Sequence, residues 1–159
     1  MKRTIHIVIR TSTYSDMEKL ERFSGDPVEE HNRISFRNTV AFFGKIGRKP
    51  SDKILNLAIE SISDRKKTKL ILARKNKGEF EVFCAPIRNI YTDNFSPKRS
   101  LIPAYYRDLA SSISLWFEIG SFVPMSQTDM NRLILLATEK PLLETLLTCR
   151  TPLLLVREK

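Results

Sequence analysis

The chain has 159 residues, of which 42% are hydrophobic and 28% charged, and this globular composition excludes a wholly disordered protein. Its 27 lysines and arginines outnumber 18 aspartates and glutamates, so the formal net charge is +9. Such a surplus favours association with phosphate backbones or other anionic surfaces.

Cellular location is constrained by the apolar runs and the cysteines. No apolar run approaches the roughly 20 residues that cross a membrane, so we expect no membrane partner. Cys84 and Cys149 lie far apart without a neighbouring histidine, which predicts neither a disulfide framework nor a metal site. We therefore expect a cytoplasmic protein.

The first half of the chain predicts one strand and two helices. The alternating, β-branched run Thr4–Ile9 predicts the first strand, and a short helix is expected over 15–21. The pattern over 28–47 is ambiguous, because Val40–Phe43 fits either a strand or a buried helical turn. A clearer helix begins after Pro50.

A β-hairpin is predicted over 69–91. Leu70–Ala73 is apolar, residues 74–78 form a polar turn that contains Gly78, and Phe80–Phe83 resumes the apolar pattern. The turn is rich in cations, which suits a surface that approaches an anionic ligand.

The second half begins with a long irregular stretch over 92–112, in which tyrosines and basic residues are interleaved, as in many functional loops. A strand is predicted over 113–123. Ser126 is expected to cap a helix that continues through Met130 to Leu136. The leucine-rich tail is either a closing strand or a connector.

Strands in the middle of the chain and helices around them predict an α+β fold with a small curved or barrel-like β-sheet flanked by helices. We expect one domain over 1–151, with 152–159 forming the closing strand or a connector to a missing region.

Catalytic motifs are missing from the sequence. It contains no phosphate-binding glycine loop, no nucleophile elbow and no zinc-protease motif, and His6 and His31 have no partner residues nearby in sequence. We therefore expect a binding domain with no catalytic residue, no cofactor and no metal.

A nucleic-acid-binding domain needs cations for phosphates and aromatic walls for any base that it reads. The candidate phosphate contacts are Lys45, Arg48, Lys49, Arg74, Lys75, Lys77, Arg88, Lys98, Arg99 and Arg107. The candidate walls are Phe42, Phe43, Tyr105 and Tyr106. The phenylalanines also fit an ordinary core, whereas the polar tips of the tyrosines allow them to lie at a rim.

Several short motifs, in the right order, resemble the YTH domain, a member of the PUA-like group that includes EVE domains. The matching segments are 7–16 (IVIRTSTYSD), 52–59 (DKILNLAI), 70–80 with Ala85, 116–124 (WFEIGSFVP) and 139–141 (EKP). YTH domains enclose N6-methyladenine of single-stranded RNA in an aromatic cage, so the resemblance implies a PUA-like fold and recognition of a modified base.

The resemblance also implies where the base pocket lies. The family's pocket-lining residues after the first strand correspond to Thr11, Ser12 and Asp16. The cage tryptophan that precedes the family's Lys-Lys-Leu helix is missing here, and the nearest aromatic residues are Phe42 and Phe43. A second cage wall corresponds to Tyr105 or Tyr106, whereas Trp116 matches a strand position.

Relatives of this fold also serve as targeting modules of McrB-type motors in modification-dependent restriction systems. The resemblance thus implies a DNA-targeting role, with methylated adenine as the candidate base and a C-terminal motor domain as partner. The alternatives are an RNA-binding PUA-like domain without modified-base specificity and a protein-interaction domain whose basic surface is incidental.

Overall fold

The computed structural model describes residues 4–10, 26–45, 49–63, 67–76, 79–92, 94–106, 110–113, 115–148, 151 and 153–159. These residues belong to two compact units. Unit one comprises Met1–Thr11, Pro50–Cys84 and Val123–Lys159, and unit two comprises Ser12–Lys49 and Ala85–Phe122. Helices and strands occur in both units, which confirms the predicted α+β class.

The described helices are α1 (Pro27–Asn38), α2 (Asp52–Ser63), α3 (Gln127–Asn131) and α4 (Leu142–Thr148), with short 3₁₀ turns at Arg99–Leu101, Ala104–Tyr106 and Ala110–Ser112. The described strands are β1 (His6–Arg10), β2 (Ala41–Gly44), β3 (Lys69–Asn76), β4 (Glu79–Thr92), β5 (Leu115–Ile119), β6 (Val123–Pro124), β7 (Leu133–Leu135) and β8 (Leu153–Glu158). Backbone pairing links them in the order β2-β5-β4-β3-β1-β8-β7, with β6 on β4. Among the described residues this order does not close on itself, so the sheet is mixed and open.

Unit one is built on the parallel pair β1 and β3, in which Ile7 lies beside Leu70 and Ile9 beside Leu72. Both strands are apolar over several consecutive residues, as expected of central strands covered on both faces. Strand β8 pairs antiparallel with the other edge of β1, and β7 pairs with β8. The tail over 153–158 is therefore a strand of unit one's sheet.

Unit two is built on the antiparallel strands β2 and β5, together with the second half of β4. A β-bulge interrupts the β4–β5 register between Ile87 and Asn89. Helix α1 packs on β2. The buried residues of this unit form an aromatic cluster that contains Phe42, Tyr106 and Trp116.

Three predictions about local structure need correction. The helix after Ser126 ends at Asn131, and Leu133–Leu135 form β7, because pairing with β8 satisfies their backbone groups. Strand β3 extends to Asn76, so Arg74 lies in a strand and not in the turn. The irregular stretch over 92–112 contains the three 3₁₀ turns.

The capping prediction and the hairpin are confirmed. The Oγ of Ser126 accepts a hydrogen bond from the Asp129 N–H at 3.1 Å, as the spacing predicts. Strands β3 and β4 cover 69–76 and 79–92 and are neighbours in the sheet. The helix predicted over 15–21 lies outside the described residues.

Candidate nucleic-acid interface

The four predicted cage residues come together, but in the interior of unit two. Phe42 and Phe43 are 5% and 4% exposed, and Tyr105 and Tyr106 are each 1% exposed. The expectation that the tyrosines lie at a rim is wrong, because their 3₁₀ turn directs both rings into the core of the unit. Burying two phenol rings in apolar surroundings stabilises the unit while their hydroxyl groups find partners inside it.

His31 of α1 is at the centre of this interior cluster. Its Nε2 is 2.9 Å from the Tyr105 hydroxyl, and its ring centroid is 5.1 Å from that of Phe43. Burial lowers the pKa of His31 to about 3, so the imidazole is neutral at physiological pH. Tyr106 donates its hydroxyl hydrogen to the Gly44 carbonyl oxygen at 2.8 Å, and burial raises the pKa of both tyrosines.

A different aromatic pair in unit two reaches the surface. The rings of Tyr91 and Phe95 stack with centroids 4.0 Å apart and planes 10° apart, and both residues are partly exposed. Phe42 packs behind them, with centroid distances of 5.8 Å to Tyr91 and 5.4 Å to Phe95. The Tyr91 hydroxyl donates to the Glu118 carboxylate at 3.3 Å, which fixes the ring.

Neither Tyr91 nor Phe95 was predicted as a site residue, although both flank the start of the irregular stretch after the hairpin. Asn89 lies two residues before Tyr91, and in the strand both side chains therefore point to the same face. The bulge places Arg88 as an extra residue beside Asn89, and both are exposed. The Asn89 amide and the Arg88 guanidinium thus lie within three residues of Tyr91 along the chain.

Helix α1 presents a second exposed aromatic side chain. The helix begins at Pro27 because the Asp26 carboxylate caps it and accepts from the Val28 N–H at 2.9 Å. Phe36 is 76% exposed, and Arg33 and Arg37 are exposed beside it. Positions i and i+3 share one face of a helix, so Arg33 lies on the same face as Phe36, and Arg37 follows Phe36 directly in the helix.

Two of the predicted phosphate contacts lie next to this helix. Lys98 and Arg99 are exposed, and the 3₁₀ turn Arg99–Leu101 contacts α1. The exposed side chains of Arg33, Phe36, Arg37, Lys98 and Arg99 are together called the α1 surface below. It combines four cations with one aromatic ring.

The other predicted phosphate contacts are differently placed. Lys45 is 6% exposed, and burial lowers the pKa of its ammonium group. Arg74 forms an ion pair with Glu81 at 2.7 Å, and its guanidinium lies 4.7 Å from the centre of the Phe83 ring. Lys49 is partly exposed. Because Arg74 is already neutralised within unit one, it is a poor phosphate contact.

The remaining predicted site residues lie outside the described part of the chain. These are Thr11, Ser12 and Asp16 of the predicted base pocket and Arg48, Lys77 and Arg107 of the predicted phosphate contacts, together with the side chain of Lys75.

Within the described ranges, no three His, Cys, Asp or Glu side chains are grouped as a bound metal ion requires. Over the same residues, no helix combines the length and apolarity needed to cross a membrane.

Comparison with known proteins gives no assignment: no family model, no curated protein and no solved structure matches this chain. A functional hypothesis therefore rests on the sequence motifs and on the side chains described above.

Proposed function

We propose that the protein is a non-catalytic nucleic-acid-binding domain that contacts a strand through the α1 surface. The observation that carries the proposal is Phe36, a large aromatic side chain that is 76% exposed between Arg33 and Arg37. Leaving such a ring in water is unfavourable, and adjacent cations make the site suited to a base on a charged backbone.

The chemistry of the α1 surface matches single-stranded nucleic acid. A base stacked on an aromatic side chain contributes about 1–3 kcal/mol, and each phosphate neutralised by a cation releases counterions. Lys98 and Arg99 extend the positive surface beyond the helix, because their turn contacts α1. The net charge of +9 supports the same ligand class.

Recognition of a modified or extruded base is part of the proposal, and the stacked pair Tyr91–Phe95 supports it. An extruded base needs an aromatic face, and this pair offers one. Asn89 lies on the same face of β4 as Tyr91; its Oδ1 accepts from the Ile90 N–H at 2.9 Å, and its Nδ2 can donate to a nitrogen or oxygen at the edge of a base. Phe95 precedes Lys98 by three residues, so their Cα atoms are at most about 11 Å apart.

The finer features implied by the sequence motifs extend this proposal. They are a PUA-like, YTH-like fold, methylated adenine as the preferred base and a cytoplasmic role as the DNA-targeting module of a McrBC-type restriction system. The mixed α+β sheet is compatible with a curved sheet of this general class. RNA binding without modified-base specificity and protein interaction are the alternatives.

Fluorescence anisotropy with labelled single-stranded DNA, duplex DNA and RNA tests the main proposal. Replacing Phe36 with Ala should weaken binding about tenfold, because one stacked base is lost. The matched control is Leu147→Ala in unit one, which removes another apolar side chain that is 73% exposed. Equal affinities of the two variants would contradict the assignment of the α1 surface.

The charge contribution is tested by raising the salt concentration from about 50 to 200 mM. The double variant Arg33→Gln and Arg37→Gln should reduce the slope of affinity against salt by about two, whereas Lys53→Gln on exposed α2 should not change it. Failure to bind any nucleic acid at low salt would refute the function. Binding of a protein that needs Phe36 but is insensitive to salt would favour the interaction-domain alternative.

Base preference is tested by measuring the affinity for oligonucleotides that contain methylated adenine, methylated cytosine or only unmodified bases. Since Tyr105 and Tyr106 are buried, replacing them with Ala would test folding and not recognition. Phe95→Ala is the informative variant, and it should remove any preference while retaining the salt-dependent affinity. A preference that survives this change would place the base elsewhere.

A further inference from the structure

Unit one has a cleft of about 400 Å³ that the predicted sites do not include. It lies where β1 and β3 begin side by side and antiparallel β8 ends, so residues distant in sequence meet there. We call it the His6 cleft, and it is lined by Thr4, His6, Lys67, Lys69, Glu158 and Lys159. Its volume is in the range of small-molecule sites.

The hydrogen bond of His6 fixes which ring nitrogen can face a ligand. Its Nδ1 accepts from the backbone N–H of Lys69 at 3.0 Å, so the neutral ring carries its hydrogen on Nε2. Burial lowers the pKa of His6, and the Lys69 charge adds to this effect while Glu158 opposes it. In the described part of the chain Nε2 makes no hydrogen bond, and the ring lines the cleft as an N–H donor.

The charges around this donor favour an anion. Lys67 and Lys69 are exposed at the mouth of the cleft, and Glu158 supplies the opposing charge. The Thr4 side chain adds a hydroxyl group that can donate to an oxygen. Two ammonium groups, one imidazole N–H and one hydroxyl suit the several oxygens of a phosphoryl group.

A second pocket adjoins the cationic part, and the carboxylates of Asp129 and Glu158 line it together with apolar side chains. It has a volume of about 230 Å³ and shares His6, Lys69 and Glu158 with the cleft. Val123 and Met125 are among the apolar residues that line it, and Val123 is 53% exposed. A ligand that places its phosphoryl group beside the lysines can therefore place an apolar or ring-shaped group against these side chains.

We propose that the His6 cleft binds a phosphate ester, with the phosphoryl oxygens at Lys67, Lys69 and the Nε2–H of His6 and the organic part against Val123 and Met125. Two sources share this chemistry, namely a free nucleotide and a phosphate of a nucleic-acid strand. The cleft belongs to unit one and uses none of the α1 surface, so the proposal holds or fails independently of the proposed function.

Isothermal titration and chemical-shift mapping with inorganic phosphate, adenosine, AMP and a short 5′-phosphorylated oligonucleotide test this site at constant ionic strength. AMP should bind and adenosine should not, because the phosphoryl group carries the recognition. The source is identified from the chemical shifts of the cleft residues alone, since the α1 surface is proposed to bind oligonucleotides. If AMP shifts these residues at a lower concentration than the oligonucleotide does, the source is a free nucleotide, and the opposite order identifies a nucleic-acid strand.

The decisive variant is His6→Asn, whose side-chain oxygen can still accept from the Lys69 N–H while the Nε2–H donor is lost. It should weaken AMP binding by at least about tenfold, the value of a hydrogen bond to a charged group. Lys67→Gln with Lys69→Gln should abolish binding, and Lys53→Gln at an exposed position of α2 should leave it unchanged. No binding of phosphate or AMP to the wild type, or an unchanged affinity in His6→Asn with unaltered thermal unfolding, overturns the proposal.

Discussion

Acid sensitivity of unit two follows from the surroundings of His31. The imidazole is 1% exposed among aromatic rings, and one nitrogen is hydrogen-bonded to the Tyr105 hydroxyl. Its Nδ1 has no hydrogen-bond partner in the described part of the chain, so a proton there would be buried without an acceptor. Folding therefore lowers the pKa of His31 from 6.5 to about 3.

The sign and size of the effect follow by linkage. Below pH 6.5 the unfolded chain binds a proton at this histidine, whereas the folded chain does not until the pH falls to about 3. The contribution to stability is complete above pH 6.5 and is lost as the pH falls from 6.5 to about 3. At about 1.4 kcal/mol per pH unit, the loss between pH 7.5 and pH 5 is about 2 kcal/mol.

Urea unfolding at pH 7.5 and at pH 5, followed by fluorescence, measures this loss. Trp116 is the single tryptophan and belongs to the aromatic cluster of unit two, so it reports unfolding of that unit. In His31→Gln the amide can keep the contact with the Tyr105 hydroxyl but cannot titrate. The wild type should lose about 2 kcal/mol more than this variant over the pH interval. Equal losses would refute the argument.

Two further predictions concern packing in unit two. Asn32 donates to the Phe122 carbonyl at 3.0 Å and accepts from the Phe122 N–H at 2.7 Å. Asn32→Ala should therefore lower the free energy of unfolding by about 2–3 kcal/mol in the same urea titrations. Asn38→Ala, at the exposed end of α1, is the control and should change it little. Equal costs would contradict the role of the double hydrogen bond. Gly44→Ala would place a Cβ 2.8 Å from Trp116 Cζ3. We expect about 1–3 kcal/mol of destabilisation and a shift of the tryptophan emission. Unchanged stability and emission would show that the indole ring moves aside without cost.

Local patterns predicted the elements whose character depends on neighbouring residues. The β-branched run at the N-terminus became β1, the apolar runs on either side of Gly78 became β3 and β4, and the Ser126 cap formed as its spacing required. The prediction of a helix over 133–135 was wrong, because this segment pairs with β8, which lies about 20 residues further along the chain. Long-range pairing of this kind overrides helical spacing.

The candidate sites were predicted less well, and burial is the reason. A tyrosine has an apolar ring and a polar hydroxyl group, so Tyr105 and Tyr106 could lie in a core or at the rim of a pocket. Their packing around His31 buries both. The exposed Phe36 was overlooked because an apolar residue in an ambiguous segment suggests a core. The His6 cleft depends on three strand ends that meet only after β1, β3 and β8 have paired.

Composition and local patterns were enough to predict the basic charge, the α+β class, the hairpin and the supply of aromatic and cationic side chains from which a nucleic-acid contact can be built. Tertiary structure decided which of these side chains face water. It buried the predicted cage, paired Arg74 with Glu81, and left Phe36 exposed and the Tyr91–Phe95 pair partly exposed. The physical reason is that exposure is a property of contacts between distant segments, and these contacts exist only once the strands and helices have packed together.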